Sequence, residues 1–323
     1  MIAAMLVLLL AGWVAAMAYV YKFRGQARYA NLQQYLRKSW PVFALPNAVL
    51  YFFTKRWARG AFVPMDRYTS LANLARHWEV MRDEALAIQA EGSFEEARRA
   101  GSPASFDVGF RTFYKYGWSR YYLNWYGYTY HSASVSCPKT VEILAKFPEI
   151  KAAMFAVLPP HSLLTPHADP LGCSLRYHLG LATPNTDQCF INVDGSEKAW
   201  RDGESFIFDE TYLHFVRNDT DLPRLILMCD VRRPLSFPGR VLNAIYSLLP
   251  RLIQTPNDAR DRRGLASALF AKVTPILLRG KQLRERNRPL YNSIKWSINF
   301  LLLGAILGAM ATGLTFLVWL LSA

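Results

Sequence analysis

Two histidines and an aspartate stand at spacings that suit a metal ion. His167 and Asp169 are separated by one residue, and His214 follows in a later strand-like piece, TYLHFV. Two imidazoles and one carboxylate make a 2-His-1-carboxylate set, which leaves coordination positions open on a non-haem Fe(II). Residues two apart on an extended segment point to one side, so His167 and Asp169 can face one ion. Arg224 comes ten residues after His214 and opens the apolar run RLILMCDV. A guanidinium at the start of an interior strand is costly unless it meets an anion. An acidic co-substrate such as 2-oxoglutarate would supply one, because Arg grips a carboxylate through two parallel hydrogen bonds. A lone His-x-Asp pair is more often a surface pair or a support for some other group. The ordered set of His-x-Asp, distant His and following Arg on period-2 segments points to a metal site. Zinc hydrolysis also uses two His and a carboxylate. The Arg behind the second His favours iron.

A sheet has to position these residues. KAAMFAVL, SLRYHLGLAT, QCFINVDG, ESFIFDE, YLHFVRN and RLILMCDVRR read as strands, with turns at LPP, TPNTD and VDGS. Asp194-Gly195 is a hairpin signal. Together they predict a small β-barrel or double-sheet jelly roll around one metal ion. His161, in the Pro-flanked LPPHSLLTP, is assigned to a loop. Asp209 and Glu210 just before His214 are read as turn-fixing residues or hydrogen-bond partners of the metal histidines.

HADP, SLRYHLGLATP, WRDGESFIFDETYLHFVRN and RLILMCDVRRP fall in order over about residues 151–234. With these motifs the chain resembles the aspartyl/asparaginyl β-hydroxylase family of Fe(II)/2-oxoglutarate dioxygenases. Within that family it is most similar to the bacterial lipid A 2-hydroxylases that act on Kdo2-lipid A. The resemblance implies a double-stranded β-helix (jelly-roll or cupin-like) core, with iron ligands His167, Asp169 and His214. It implies that Arg224 and His178 hold 2-oxoglutarate, with Arg176 at a basic position of the same region. It also implies Fe(II), 2-oxoglutarate and O2 as cofactors and co-substrates, and hydroxylation of the 2-position of an acyl chain. The animal peptide hydroxylases of the family have a glycine where Asp169 stands, so this chain differs from them in keeping three ligands. A serine that helps hold 2-oxoglutarate in those enzymes aligns with Ala156.

The rest of the chain says where such chemistry would take place. It has 323 residues, 52% of them hydrophobic, and a formal charge of +14. This leaves room for one jelly roll plus extra elements. The charge suits nucleic acid or an anionic membrane; the apolar ends favour the membrane and argue against nucleic acid. Cys137, Cys173, Cys189 and Cys229 show no CxxC spacing, so neither a disulfide framework nor a zinc finger is indicated. Residues 1–21 are uncharged and long enough to span a bilayer, which takes about 20 residues. A cleaved signal peptide is the alternative, but the positives Lys22, Arg24, Arg28, Arg37 and Lys38 follow the apolar core rather than precede it. Residues 40–53 form a short aromatic segment that lies in the interface or is buried in the soluble part.

Helical spacing over 66–100 predicts packing helices, with His77 structural. Residues 107–130 read as aromatic edge strands, and KTVEILAKF as a short helix. Beyond Pro234 two amphipathic stretches read as interfacial helices, or alternatively as helices that cover a partner or the core. Residues 296–321 are again long enough to span, and Gly304 and Gly308 form a GxxxG through which two copies could associate.

The organisation predicted is a membrane-anchored α+β protein. It has a transmembrane helix over 1–21, interfacial and packing helices over 22–105 and a jelly-roll core over 106–235. Amphipathic interfacial helices follow over 236–295, then a second transmembrane helix over 296–321. The positive flanks put both termini outside and the catalytic part in the cytoplasm; the resemblance implies a bacterial inner membrane, hence periplasmic termini. The partners expected are lipid A or a related membrane lipid and an anionic membrane surface. Hydroxylation of ornithine lipid or of peptide Asp/Asn, and a non-catalytic scaffold with a degenerate barrel, are the competing functions.

Overall fold

The computed structural model describes residues 2–99, 102–105, 107 and 117–298, with positions 301, 304, 308 and 312. The chain divides into two compact units, Met17–Ala268 and Met1–Ala16 with Leu269–Ala323. The first unit holds the sheets. Its strands are β1 (Phe62–Val63), β2 (Ser119–Trp125), β3 (Tyr128–Thr129), β4 (Ile150–Leu158), β5 (Ser162–His167) and β6 (Ser174–Ala182). They continue with β7 (Cys189–Val193), β8 (Ser196–Ala199), β9 (Ser205–Phe208), β10 (His214–Asn218) and β11 (Arg224–Arg232). Seven form one sheet in the order β1-β9-β6-β11-β4-β2-β3, and four form a second, β5-β10-β7-β8. All named strand pairs are antiparallel. Apolar residues of both sheets, such as Leu179, Phe206 and Leu227 from one and Leu164, Ile191 and Val216 from the other, share one core. This is an α+β fold with a jelly-roll core.

Strand sequence follows strand position. β11 is central in the large sheet and buried along all but its last residue, so its sequence is almost uninterrupted apolar. β10 alternates in burial: His214, Val216 and Asn218 are buried, while Phe215 is half-buried and Arg217 exposed. Between β7 and β8, Asp194 and Gly195 take φ of 55° and 90°. Positive φ at both central residues is what a two-residue hairpin turn needs, and Asp-Gly supplies it.

The predicted strands coincide with β4, β6, β7, β9, β10 and β11, and the helices predicted over 66–100 with α-helices at Thr69–Ala75, Trp78–Ala90 and Ser93–Arg98. The LPPHSLLTP segment departs from the reading as a loop: His161 is in a turn at φ 50°, but the chain enters β5 at Ser162. Residues 40–53 pack as part of the core unit. Their helix Ala44–Phe53 buries Ala44, Asn47 and Leu50 and leaves Phe52 exposed. Beyond the barrel lie helices Phe237–Tyr246, Leu249–Leu252 and Leu265–Arg286.

Among the described residues one helix, Ala4–Lys22, is long and apolar enough to cross a membrane. Most of the C-terminal run predicted to span, and the aromatic residues 108–116, lie outside the described residues.

Candidate metal and anion site

His167 ends β5 and His214 begins β10, and the two are register partners. From His214 to Val216 the small sheet advances two residues on β10 but three on β5, from His167 to Leu164. Thr165 and Pro166 therefore face Phe215 alone, a bulge of the kind that re-aims a side chain beside a site. Pro166 suits it, because proline has no N–H to give to the ladder.

The imidazole centroids are 4.3 Å apart. One ligand atom each from His167, Asp169 and His214 lie within 4.8 Å of one another. His167 Nδ1 bonds the carbonyl of Thr165 at 2.8 Å, and His214 Nδ1 bonds that of Tyr212 at 2.9 Å. A carbonyl only accepts, so in both rings Nδ1 carries the proton and Nε2 offers its lone pair. Burial pulls both histidines down to about 4; His214 and Lys38 add to it at His167 and Arg176 at His214, while Asp169 and Asp209 oppose it. Both are neutral at pH 7, the form that ligates a metal.

Asp169 is held from behind. Arg176, on β6, reaches its Oδ2 at 3.1 Å and pairs with Asp230 at 3.0 Å. The Asp169 N–H donates to the Glu210 carbonyl at 2.9 Å. Burial opposes charge on Arg176, but Asp230, Glu210 and Asp169 outweigh it and hold it protonated. Burial pushes Glu210 up to about 8, so one of the carboxyls around this guanidinium keeps its proton at pH 7. Arg176 is thus engaged by the carboxylates behind the candidate metal ligands.

Asp209 has a different part. It is buried, yet Arg233 and Arg24 hold it well below the usual carboxylate range against the cost of burial. A carboxylate locked between two guanidiniums does not exchange protons near neutrality.

Arg224 begins β11 and is fully buried. Its guanidinium carbon lies 4.4 Å from the Trp200 ring centroid and 4.9 Å from that of Trp118. None of its three nitrogens has a hydrogen-bond partner among the described residues. Burial lowers its pKa to about 10, which leaves it charged. His178 on β6 is equally buried. Its Nδ1 accepts the Trp200 indole N–H at 3.3 Å, so its other nitrogen, Nε2, carries a proton with no acceptor among the described residues. Burial, then Arg224, keep the ring neutral. The Phe208 ring stands 4.9 Å from that of His178 and 5.9 Å from that of His214, so this pocket adjoins the candidate metal ligands.

Unsatisfied buried donors are rare, and an unpaired buried cation costs several kcal/mol (order of magnitude). A guanidinium and a neutral N–H donor beside three metal-ligand atoms fit a small carboxylate that also binds the metal. The residues present therefore fit Fe(II) and 2-oxoglutarate.

Trp200 was not singled out in the sequence. Its place depends on Gly180, where any Cβ would run into the Arg201 backbone carbonyl, so only glycine lets the Trp200–Asp202 segment pass so close. His161 is exposed and bonds Asp221 at 2.8 Å, and His77 precedes the helix Trp78–Ala90. Neither enters the site.

Residues 75–234 match the family model described as Aspartyl/Asparaginyl beta-hydroxylase. The chain is 33% identical over 179 residues to the human Aspartyl/asparaginyl beta-hydroxylase, covering 52% of this chain and 22% of that protein. It is 34% identical over 140 residues to the Ornithine lipid ester-linked acyl 2-hydroxylase of Rhizobium tropici, covering 43% and 49%. The chain thus spans half or less of the length of these relatives. Among solved structures, a viral collagen prolyl hydroxylase from Paramecium Bursaria Chlorella virus-1 overlaps 36% of this chain and 78% of its own, at 11% identity and a TM-score of 0.26.

Proposed function

We propose, for a chain whose residues 75–234 belong to the aspartyl/asparaginyl β-hydroxylase family, an Fe(II)- and 2-oxoglutarate-dependent hydroxylation of a membrane lipid. The substrate proposed is the 2-position of an acyl chain of lipid A, at the cytoplasmic face of a bacterial inner membrane. The observation that carries the dioxygenase reading is the buried guanidinium of Arg224, which meets no anion among the described residues and lies beside a two-His, one-Asp cluster.

In this reading His167, Asp169 and His214 hold the iron, while Arg224 and the Nε2–H of His178 hold the far carboxylate of 2-oxoglutarate. When bound, iron and 2-oxoglutarate together activate O2 to place one oxygen atom in an inert C–H bond and the other in succinate, with loss of CO2. The chain's own work is orientation and dryness. Trp118, Trp200, Phe206 and Phe208 wall the anion pocket, and Arg176 fixes the face that Asp169 presents.

Support for a lipid substrate comes from outside the barrel. The apolar helix Ala4–Lys22 is exposed along most of its length. On helix Phe237–Tyr246 and just after it, Phe237, Val241, Ile245, Leu248 and Leu252 form an exposed apolar stripe that Arg240 accompanies. Such a stripe with a basic flank suits a bilayer interface with anionic headgroups. The rhizobial relative bears the name of a lipid acyl 2-hydroxylase, so ornithine lipid is the second reading.

Lipid mass spectrometry on cells expressing wild type or His167→Ala tests this. One added oxygen on a lipid A acyl chain, with wild type only, is the expected result. A gain on ornithine lipid instead moves the substrate. No lipid change, with succinate formed on Asp/Asn peptides, overturns the lipid reading.

A further inference from the structure

We propose that residues 24–27, outside the family-matched segment, position His214, with Arg24 as the principal positioning residue. The inference rests on reading His214 as a metal ligand.

Arg24 stands two residues beyond the apolar helix, where sequence alone suggests a solvated or headgroup-facing basic residue. It is instead 8% exposed. Its Nη1 donates to the Thr211 carbonyl at 2.7 Å. Its Nη2 donates to Thr211 Oγ1 at 2.9 Å and to Asp209 Oδ2 at 3.0 Å. The guanidinium is sandwiched between the rings of Tyr51 and Tyr212, 3.8 and 3.7 Å from their centroids. Tyr212 is the residue whose carbonyl accepts the Nδ1–H of His214.

The next residues grip the same loop from another side. The N–H groups of Gln26 and Ala27 donate to Asp194 Oδ1 at 2.7 and 2.8 Å. The Asp194 N–H donates to the Leu213 carbonyl at 2.9 Å. Gly25, at φ +76°, lies so close to the Asp194 carboxylate that a Cβ there would collide with it. Three consecutive carbonyls, of Thr211, Tyr212 and Leu213, are thereby assigned to Arg24, His214 and Asp194. The middle one sets the direction of the metal-binding imidazole; Arg24 holds the carbonyl before it, and Asp194, itself held by Gln26 and Ala27, holds the one after it.

A buried ion pair adds little net stability, because desolvation offsets attraction. Its geometry is what is specific. A planar two-headed donor held between two rings restricts the loop in direction and in twist, which a lysine or an apolar side chain cannot do. Supports of this kind govern metal affinity by about ten- to a hundredfold.

The test uses the full chain in detergent, without iron or oxygen, with Co(II) as the spectroscopic probe. Wild type, Arg24→Ala, Arg24→Lys and His214→Ala are titrated, and the melting temperature of each metal-free protein is recorded. The expected result is Co(II) affinity about tenfold or more weaker in both Arg24 variants, with shifted visible bands, in proteins that still melt cooperatively. Wild-type affinity and wild-type bands in the variants overturn the inference. Should Arg24→Ala fail to fold, Arg24→Lys decides, since it keeps a charge beside Asp209 and loses the fork. A wild type that binds no Co(II), or a His214→Ala that binds it unchanged, overturns the metal reading instead.

Discussion

The indole N–H of Trp200 donates to Nδ1 of His178, and that one bond decides which nitrogen of His178 is left to meet a ligand. The same indole lies over the guanidinium of Arg224. Trp200→Phe keeps an aromatic wall and removes the donor, so His178 can turn or change tautomer. A lost hydrogen bond of about 1 kcal/mol corresponds to about a fivefold loss of affinity. The KM for 2-oxoglutarate, followed by succinate release, should rise by that order with kcat little changed.

Arg224→Met should act in opposite directions on two measurements. Removing an unpaired buried cation relieves the metal-free fold, by about 1–3 kcal/mol if the methionine packs well. The melting temperature without ligand should therefore hold or rise. Added 2-oxoglutarate should stabilise wild type, and that stabilisation should vanish in the variant. A variant that melts lower and still gains from 2-oxoglutarate would show that Arg224 serves the core alone.

Arg176→Gln should be the more damaging change. It leaves Asp169, Asp230 and Glu210 without their shared cation. Breaking a buried pair from one side costs about 3–5 kcal/mol. Urea denaturation should show that loss, and Co(II) binding should weaken because Asp169 is no longer held. Asp169→Ala should abolish metal binding with a smaller loss of stability, which separates ligand from support.

Acid should weaken the metal-free fold through the two histidines. Their folded values lie near 4 against an ordinary 6.5, so between these limits the unfolded chain binds more protons. Stability then falls as pH drops from about 6.5 to about 4, by up to about 3 kcal/mol for each ring. Glu210 works the other way, since its raised value makes the folded state the greater proton binder between about 8 and 4.5. The difference between wild type and His167→Gln in the stability lost on acidification isolates the part due to His167. That difference should grow as pH falls through the window, with wild type losing more.

The residues with short-range signals were the legible ones. His167 and Asp169 announce themselves by spacing, and Arg224 by its charge at the head of an apolar run. β11 was legible because continuous apolarity reports burial on both faces. β5 was not, since its Pro166 and the prolines before it read as loop, and the bulge breaks the period of two. Arg24 could not be found by pattern at all. Its partner Asp209 is 185 positions away, and beside an apolar helix a basic residue has an ordinary explanation. Trp200 is hidden for a related reason, because its site depends on a glycine twenty residues earlier in another strand.

β11 is the last strand of the barrel to be synthesised, yet it takes the middle of the large sheet, between β4 and β6. A growing chain therefore carries both histidines and Asp169 well before it can close the sheet. Until Arg232 has emerged, β4 and β6 each offer a long apolar edge with unpaired backbone groups, the kind of edge that recruits other chains. A message cut short between His214 and Arg232 yields a fragment that carries His167, Asp169 and His214 on an open, aggregation-prone barrel.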